Sequence, residues 1–172
     1  DVTAVSATQT AMAALRADGS VITWGNSIFG GDSSAVANSL NGALDVVSLS
    51  STGGAFAALR TDGSVITWGY DLYGGNSAKV AADLNGTEDV ITVLGNQGAF
   101  AAIRTNGSVI AWGSDSHGGD TSGVSAQLDG STRGVQLYAS NGAFAALRFD
   151  GSVVTWGDLY AGGDSSAVAS EL

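Results

Sequence analysis

Apolar and polar positions along the chain follow one pattern that occurs four times. Each copy contains a β-branched run such as "DVVSLSS", then "AFAALR", an Asp-Gly or Asn-Gly pair, and a segment such as "SVITWG". The chain's four tryptophans lie near the end of these last segments, at Trp24, Trp68, Trp112 and Trp156, and consecutive ones are 68 − 24 = 44 residues apart. A fixed period of about 20–50 residues indicates a repeat architecture. We place the units at residues 1–44, 45–88, 89–132 and 133–172 of a single repeat domain.

Each unit predicts three short antiparallel strands. A pair such as Asp62-Gly63 between two apolar runs indicates a β-hairpin with a type I′ turn, in which both central residues have positive φ. The run "AFAALR" is apolar on both faces, and Val65 and Trp68 fall on opposite faces of the strand that follows. A sheet of this kind must be covered on both sides. We therefore expect neighbouring units to cover one another.

The remainder of each unit predicts a short helix of about two turns, or a loop with one turn. Val36 and Leu40 lie four residues apart, and Asn41-Gly42 would end the element. The residues predicted to act as helix N-caps are Asp32, Asn76, Asp120 and Asp164.

The string "AFAALRTDGSVITWGYDLYGG" resembles the regulator of chromosome condensation repeat, in which an Ala-Leu strand leads to Asp-Gly, a Val-x-x-Trp-Gly strand and a Gly-rich exit. It is more similar still to the short bacterial version in propeller-type β-lactamase inhibitor proteins. The resemblance implies a mainly β fold of blade-like repeats around an axis, a β-propeller. That family usually closes with seven blades, whereas this chain has four units. A four-bladed ring and a propeller-like arc both remain open, and an arc would expose an apolar sheet face at each end.

Composition excludes several classes of function. The formal net charge is −10, so we expect no nucleic acid and no anionic membrane surface as a direct partner. No apolar run is long enough for a membrane span, so we expect no membrane insertion. The chain has no cysteine, which removes disulfides and thiol chemistry. Its first ten residues lack a signal-peptide pattern, so we expect a mature product or an excised piece.

Two side chains that recur in every unit have a structural and a functional interpretation. The arginines at Arg16, Arg60, Arg104 and Arg148 would form either a ring of anion-binding groups or pairs with the turn acids, and we favour the pairs. The tryptophans would be either sugar-stacking platforms or core, and we favour core, with each indole N–H bonded to a partner.

Metal and catalytic sites are weakly indicated. Acids beside glycines would suit calcium, but no unit has the dense alternating carboxylates of a dedicated loop, so we expect no cofactor. His117 is the only histidine. It could be combined with Asp115 and a nearby serine into a Ser-His-Asp set, but serine is so abundant that this adjacency carries little information. We expect a protein that is not an enzyme.

The positions that vary between units are the candidate partner-binding site. Between Trp-Gly and Gly-Gly the units have "NSIF", "YDLY", "SDSH" and "DLYA", which should share one rim. Aromatic residues are favoured at interfaces. The rim residues are Phe29, Tyr70, Tyr73, His117, Leu159 and Tyr160. The alternative interpretation is that Phe29 and Tyr73 only fasten this loop to the next unit.

These observations favour a non-catalytic repeat scaffold, secreted or on a bacterial cell surface, that acts as a structural, adhesive or self-assembling module through protein–protein contacts. Its partner would be another protein or a second copy of itself, in a ring or a head-to-tail fibre. The first alternative is a soluble partner-binding propeller of the inhibitor type. The second is a carbohydrate-binding module, which would require equivalent residues in every unit.

Overall fold

The computed structural model describes residues 1–131 and 135–172, and in this part of the chain twelve strands form four three-stranded antiparallel sheets, which we call blades 1 to 4. The strands of blades 1 and 2 are β1 (Val2–Ala7), β2 (Ala11–Arg16), β3 (Val21–Gly25), β4 (Val46–Ser51), β5 (Ala55–Arg60) and β6 (Val65–Gly69). Those of blades 3 and 4 are β7 (Val90–Gly95), β8 (Ala99–Arg104), β9 (Val109–Gly113), β10 (Gln136–Ala139), β11 (Ala143–Leu147) and β12 (Val153–Gly157). The prediction of three antiparallel strands per unit is confirmed.

The middle strand of each blade pairs with both of its neighbours, so the blade follows the chain order. In blade 3, Phe100 lies opposite Trp112 across the β8–β9 pair, and their rings stack with centroids 5.2 Å apart. Phe56 with Trp68 and Phe144 with Trp156 repeat this arrangement. In blades 2, 3 and 4, the paired aromatic rings place the bulky side chains on one face of the sheet.

The hairpin turns differ from the type I′ prediction. Gly19 has φ +72°, and among the described residues only glycines have positive φ. The Gly19 N–H donates to the Arg16 carbonyl, and the Arg16 N–H donates to the Ser20 carbonyl. This is the longer hairpin loop, a type I turn followed by one left-handed glycine. The type I′ prediction is wrong because the acid before the glycine keeps negative φ.

The segment predicted as a two-turn helix is a 3₁₀ element. It comprises Ser34–Ser39 in the first unit and Ala78–Val80, Ser125–Gln127 and Ser166–Val168 in the others. Asp32 accepts the N–H of Ser34, two residues on, and Asn76, Asp120 and Asp164 do the same in their units. The chain then pairs back onto the blade through the Ser20–Asn41 bridge. The Asp32 bond fixes the start of the segment and the Ser20–Asn41 bridge fixes its end. The residues between them are too few to propagate an α-helix.

The apolar core lies between blades. One cluster joins blades 1 and 2 around Phe56 and Trp68, a second joins blades 2 and 3 around Phe100 and Trp112, and a third joins blades 3 and 4. Small side chains such as Ala57 let adjacent sheets approach closely, and Ala57 itself is buried. The expectation that neighbouring units cover both faces of a blade is confirmed for the internal blades.

The four blades form an open propeller-like arc. Large apolar side chains are exposed on the first blade, including Val5, Ile22 and Trp24, and on the last, including Tyr138. Their counterparts in the internal blades are covered by a neighbour. The unit boundaries stay a prediction, and the one at residues 132 and 133 lies outside the described residues.

Candidate protein-binding surfaces

The four repeated arginines bond to the hairpin turns of the scaffold, and three of them are half-buried, whereas Arg16 is exposed. Arg60 Nε donates to Ser64 Oγ at 2.8 Å, and Ser64 Oγ donates to Asp62 at 2.5 Å. Arg16, Arg104 and Arg148 bond in the same way to Ser20, Ser108 and Ser152. The predicted pairs with the turn acid are confirmed in three units. In the third unit the turn residue is Asn106, and Arg104 instead reaches Asp83 of the preceding unit at 2.6 Å.

The turn aspartates are held in their ionised form. The hydroxyl and the backbone N–H of Ser20 donate to Asp18 and lower the pKa of that carboxyl, and nearby Arg16 lowers it further. Burial raises the pKa of Asp62, but the two bonds from Ser64 together with nearby Arg60 lower it, and the net shift is downward. These carboxylates therefore act as acceptors that fix the hairpin turn.

The tryptophans are mostly core, as predicted. Trp68, Trp112 and Trp156 are between 3% and 5% exposed. Each indole N–H donates to a glycine carbonyl of the preceding blade, at Gly30, Gly74 and Gly118, over 3.0–3.1 Å. Trp24 is the exception at 48% exposed, because no neighbouring blade covers it in this structure. Burial of the other three indoles contradicts their use as sugar-stacking platforms.

Four of the predicted rim residues form a continuous row. The ring centroids are 5.6 Å apart for Phe29 and Tyr70, 5.3 Å for Tyr70 and Tyr73, and 6.4 Å for Tyr73 and His117. All four side chains are half-buried. The row therefore runs across the first three units, and one face of it contacts solvent.

The row also packs on the scaffold. A Cβ built on Gly54 would lie 2.6 Å from the ring of Phe29 and 3.0 Å from that of Tyr73. At Gly98 the same position is occupied by His117. Phe29, in the first unit, thus fastens its loop to the second, as the alternative interpretation expects. These glycines are needed because an aromatic ring of the rim lies directly on the backbone there.

Leu159 and Tyr160 stand apart from this row. Both lie in the last unit's helical turn, Leu159–Ala161, and Tyr160 is fully exposed. Its counterparts Ile28 and Leu72 are also exposed, and neither was among the predicted rim residues. The signal was present, because all three occupy the third position of the loop. The rim therefore has an aromatic row and, beside it, three separate exposed apolar side chains.

Among the described residues, the contacts of His117 differ from those of a Ser-His-Asp triad. The hydroxyls of Ser114 and Ser116 both lie near its Nδ1 atom, at 3.1 and 3.0 Å. A Ser-His-Asp triad needs the serine on one ring nitrogen and the carboxylate on the other. These contacts are local to one helical turn, Asp115–His117. In the described ranges, no group of three or more His, Cys, Asp or Glu side chains is placed to hold a metal ion.

The two ends of the arc expose apolar faces. We call the open side of blade 1 the head face, and it carries Val2, Val5, Met12, Ile22 and Trp24. We call the open side of blade 4 the tail face, and it carries Tyr138, Ala145, Leu147, Val153, Val168 and Leu172. The internal counterparts of these residues lie in the clusters between blades. Each end face is thus one half of a junction that is complete elsewhere in the chain.

Comparison with solved structures assigns the fold to the β-propeller repeats. Yeast RCC1 (Prp20), bound to Kap60, matches with a TM-score of 0.64 at 18% identity, over 91% of this chain and 43% of that one. The ectodomain of the Physcomitrella patens receptor kinase CR4 matches at 0.59 and 14%, over 91% and 39%. The ectodomain of the Arabidopsis thaliana receptor kinase ACR4 matches at 0.55 and 20%, over 91% and 50%.

The likeness lies in the fold, and this chain spans half or less of the length of each of these structures. No family model and no curated protein matches the sequence. Within the described part of the chain, no helix is long and apolar enough to cross a membrane.

Proposed function

We propose that this chain is a non-catalytic β-propeller-repeat scaffold that works through protein–protein contacts, as a secreted or cell-surface structural, adhesive or self-assembling module. The observation that carries the proposal is the pair of open apolar end faces. Contiguous exposed apolar surface of this kind marks an interaction site. Apart from Trp24, the tryptophans and arginines that recur in every unit form bonds within the scaffold, which leaves the ends and the rim for function.

Similar structures support this proposal in general terms. Yeast RCC1 is seen bound to another protein, Kap60, and two of the other matches are receptor-kinase ectodomains. A propeller-repeat surface is thus compatible with protein partners and with an extracellular setting. The share of apolar residues at the open ends of this chain favours contacts with protein over contacts with a charged polymer.

Bead clustering tests the proposed role. Beads that carry the chain at low surface density should cluster, as counted by flow cytometry, because each bead presents both end faces. Beads with a variant carrying Trp24→Arg and Ala145→Arg, one change on each end face, should stay dispersed. Beads with Ile91→Arg serve as control, because Ile91 is equally exposed but lies on an internal blade. Dispersed beads with the unchanged chain would overturn the proposed self-assembling role.

The aromatic row favours one second candidate, a soluble inhibitor-type propeller that binds its partner through the rim. Aromatic side chains held on a rigid backbone make effective binding hot spots. Tyr70 contacts both Phe29 and Tyr73, so the row is already ordered without a partner. Pre-ordering of this kind lowers the entropy cost of binding.

Titration into a β-lactamase tests this second candidate, because the resemblance of the repeat is to β-lactamase inhibitor proteins. Hydrolysis of a chromogenic cephalosporin should fall as the chain is added. A double variant, Tyr70→Ser with Tyr160→Ser, should restore hydrolysis, whereas Ile91→Arg should inhibit like the unchanged chain. Full hydrolysis at every concentration of the chain would remove this enzyme class as the partner.

A further inference from the structure

We propose that the head face of one copy of this chain docks on the tail face of a second copy and continues the blade-to-blade stack in the same register. The inference rests on the proposed self-assembling role and names its partner and geometry. Three kinds of contact between internal blades argue for it. For each kind, one partner group is exposed on the head face and the other partner group is exposed on the tail face.

The first feature is the tryptophan bond. At every internal junction the indole N–H donates to the first glycine of the preceding unit's Gly-Gly pair, as Trp68 does to Gly30. By register, the acceptor for the exposed Trp24 is Gly162 of another copy. A Cβ on Gly30 would strike Phe56 at 2.6 Å, whereas a Cβ on Gly162 would meet nothing within 4 Å. A hollow of about 230 Å³ opens there on the tail face, lined by Tyr138, Ala143, Ala145, Ala161 and Gly162 among others.

The second feature is a ladder of backbone bonds. Near the axis, Gln9 N–H donates to Gly53, Gly53 to Gln97, and Gln97 to Asn141, each over 2.9–3.2 Å. In the next step of this series, the Asn141 N–H of one copy would donate to the Gln9 carbonyl of another copy. Each end of the arc therefore offers the group that the other end lacks.

A second backbone series runs through the hairpin turns. Val46 N–H donates to the Gly19 carbonyl, and Val90 N–H donates to the Gly63 carbonyl. The corresponding groups at the ends are Val2 N–H on the head face and the Gly151 carbonyl on the tail face. Open space surrounds Gly151, whereas Asp45 packs within 2.5 Å of a Cβ placed on Gly19.

The third feature is charge. Arg104 pairs with Asp83 of the preceding blade at 2.6 Å. Two periods further along this series, the same two positions are Glu171 at the tail and Arg16 at the head of another copy. The Arg16 side chain is 45% exposed, against 18% for Arg104. The position of Asp83 is occupied by Ser39 and Gln127 in the other two internal junctions. An acid therefore stands there only in the second unit and, as Glu171, at the tail.

The head and the tail complement each other and neither complements itself, so a second copy of this chain fits both faces. A contact of this kind is heterologous, and it closes into a ring or grows as a filament. The net charge of −10 on each copy opposes association, and salt screens that repulsion. Association should therefore strengthen as ionic strength rises.

Light scattering of the full chain at high ionic strength tests the inference. The unchanged chain should exceed 17.0 kDa as its concentration rises. Trp24→Arg, which disables the head, and Ala145→Arg, which disables the tail, should each remain a monomer, with the apparent Kd raised at least about 30-fold. An equimolar mixture of the two should form a complex of two chains and no larger, because one intact head and one intact tail remain. Leu172→Arg is a second tail variant, and Ile91→Arg should associate normally.

A charge reversal tests the register. At an ionic strength low enough to leave this pair unscreened, Arg16→Glu and Glu171→Arg should each weaken association by about 2- to 5-fold, and the two changes in one chain should recover it. A monomer at every concentration would overturn the inference, as would a mixture of head and tail variants that stays monomeric. If beads cluster but the mixture fails to pair, the self-assembling role survives and the head-to-tail geometry fails.

Discussion

Replacement of Trp112 by alanine is expected to lower the free energy of unfolding by about 3–5 kcal/mol. The side chain is 3% exposed and fills the junction between blades 2 and 3. It stacks on Phe100, and its indole N–H donates to the Gly74 carbonyl at 3.1 Å. The substitution removes the ring and leaves that carbonyl buried without its donor. Both effects destabilise the folded chain.

The repeat supplies a matched control for this change. Trp24 has the same position in blade 1 but is 48% exposed, so Trp24→Ala should cost about 1 kcal/mol. Urea unfolding at a concentration where the chain is monomeric gives both values. Equal losses at the two positions would show that packing between blades contributes little to stability, contrary to the placement of the three apolar clusters.

The sequence predicted the elements whose signals are local. Strands around "AFAALR" and "SVITWG" were predicted because apolar runs flank each Asp-Gly pair. The pairing of Arg60 with Asp62 was predicted because the two residues lie at the base of the hairpin. In each case the determining contacts lie within one unit, so the period and the pattern contain the information.

Features that depend on exact backbone geometry, or on the rotation between units, were predicted less well. The turn type was wrong because Arg16 and Ser20 close the hairpin with the glycine alone in the left-handed region. The helix at 32–40 was replaced by a 3₁₀ element because its far end is tied to the strand at Ser20. Whether four units close into a ring depends on the small rotation between blades, which no residue pattern in one unit specifies.

The candidate site was predicted in part. The loop positions were identified, and Phe29, Tyr70, Tyr73 and His117 do meet in a row, but Leu159 and Tyr160 lie apart from it. The end faces could not be located by composition, because their residues are the same apolar types that fill the core. Only the difference in exposure between Trp24 and its three counterparts distinguishes a face from a core.

Replacement of Gly74 by alanine is expected to cost about 2–5 kcal/mol. Gly74 has φ +95°, a conformation that costs an alanine about 1–2 kcal/mol. In addition, the new Cβ would lie 2.6 Å from the ring of Phe100, which is fully buried and cannot move aside. Overpacking of this kind adds about 1–3 kcal/mol.

Gly162 separates the two costs. It has φ +102° and so carries the same conformational penalty, but open space surrounds the position of its Cβ. Gly162→Ala should therefore cost only about 1–2 kcal/mol in the monomer. The difference between the two variants, measured by urea unfolding, isolates the steric contact between blades. In an assembled chain this difference should shrink, because Met12 and Trp24 of a second copy, the counterparts of Phe100 and Trp112, would then lie over Gly162. A difference that is absent in the monomer would mean that the rings of Phe100 and Trp112 are not held against Gly74.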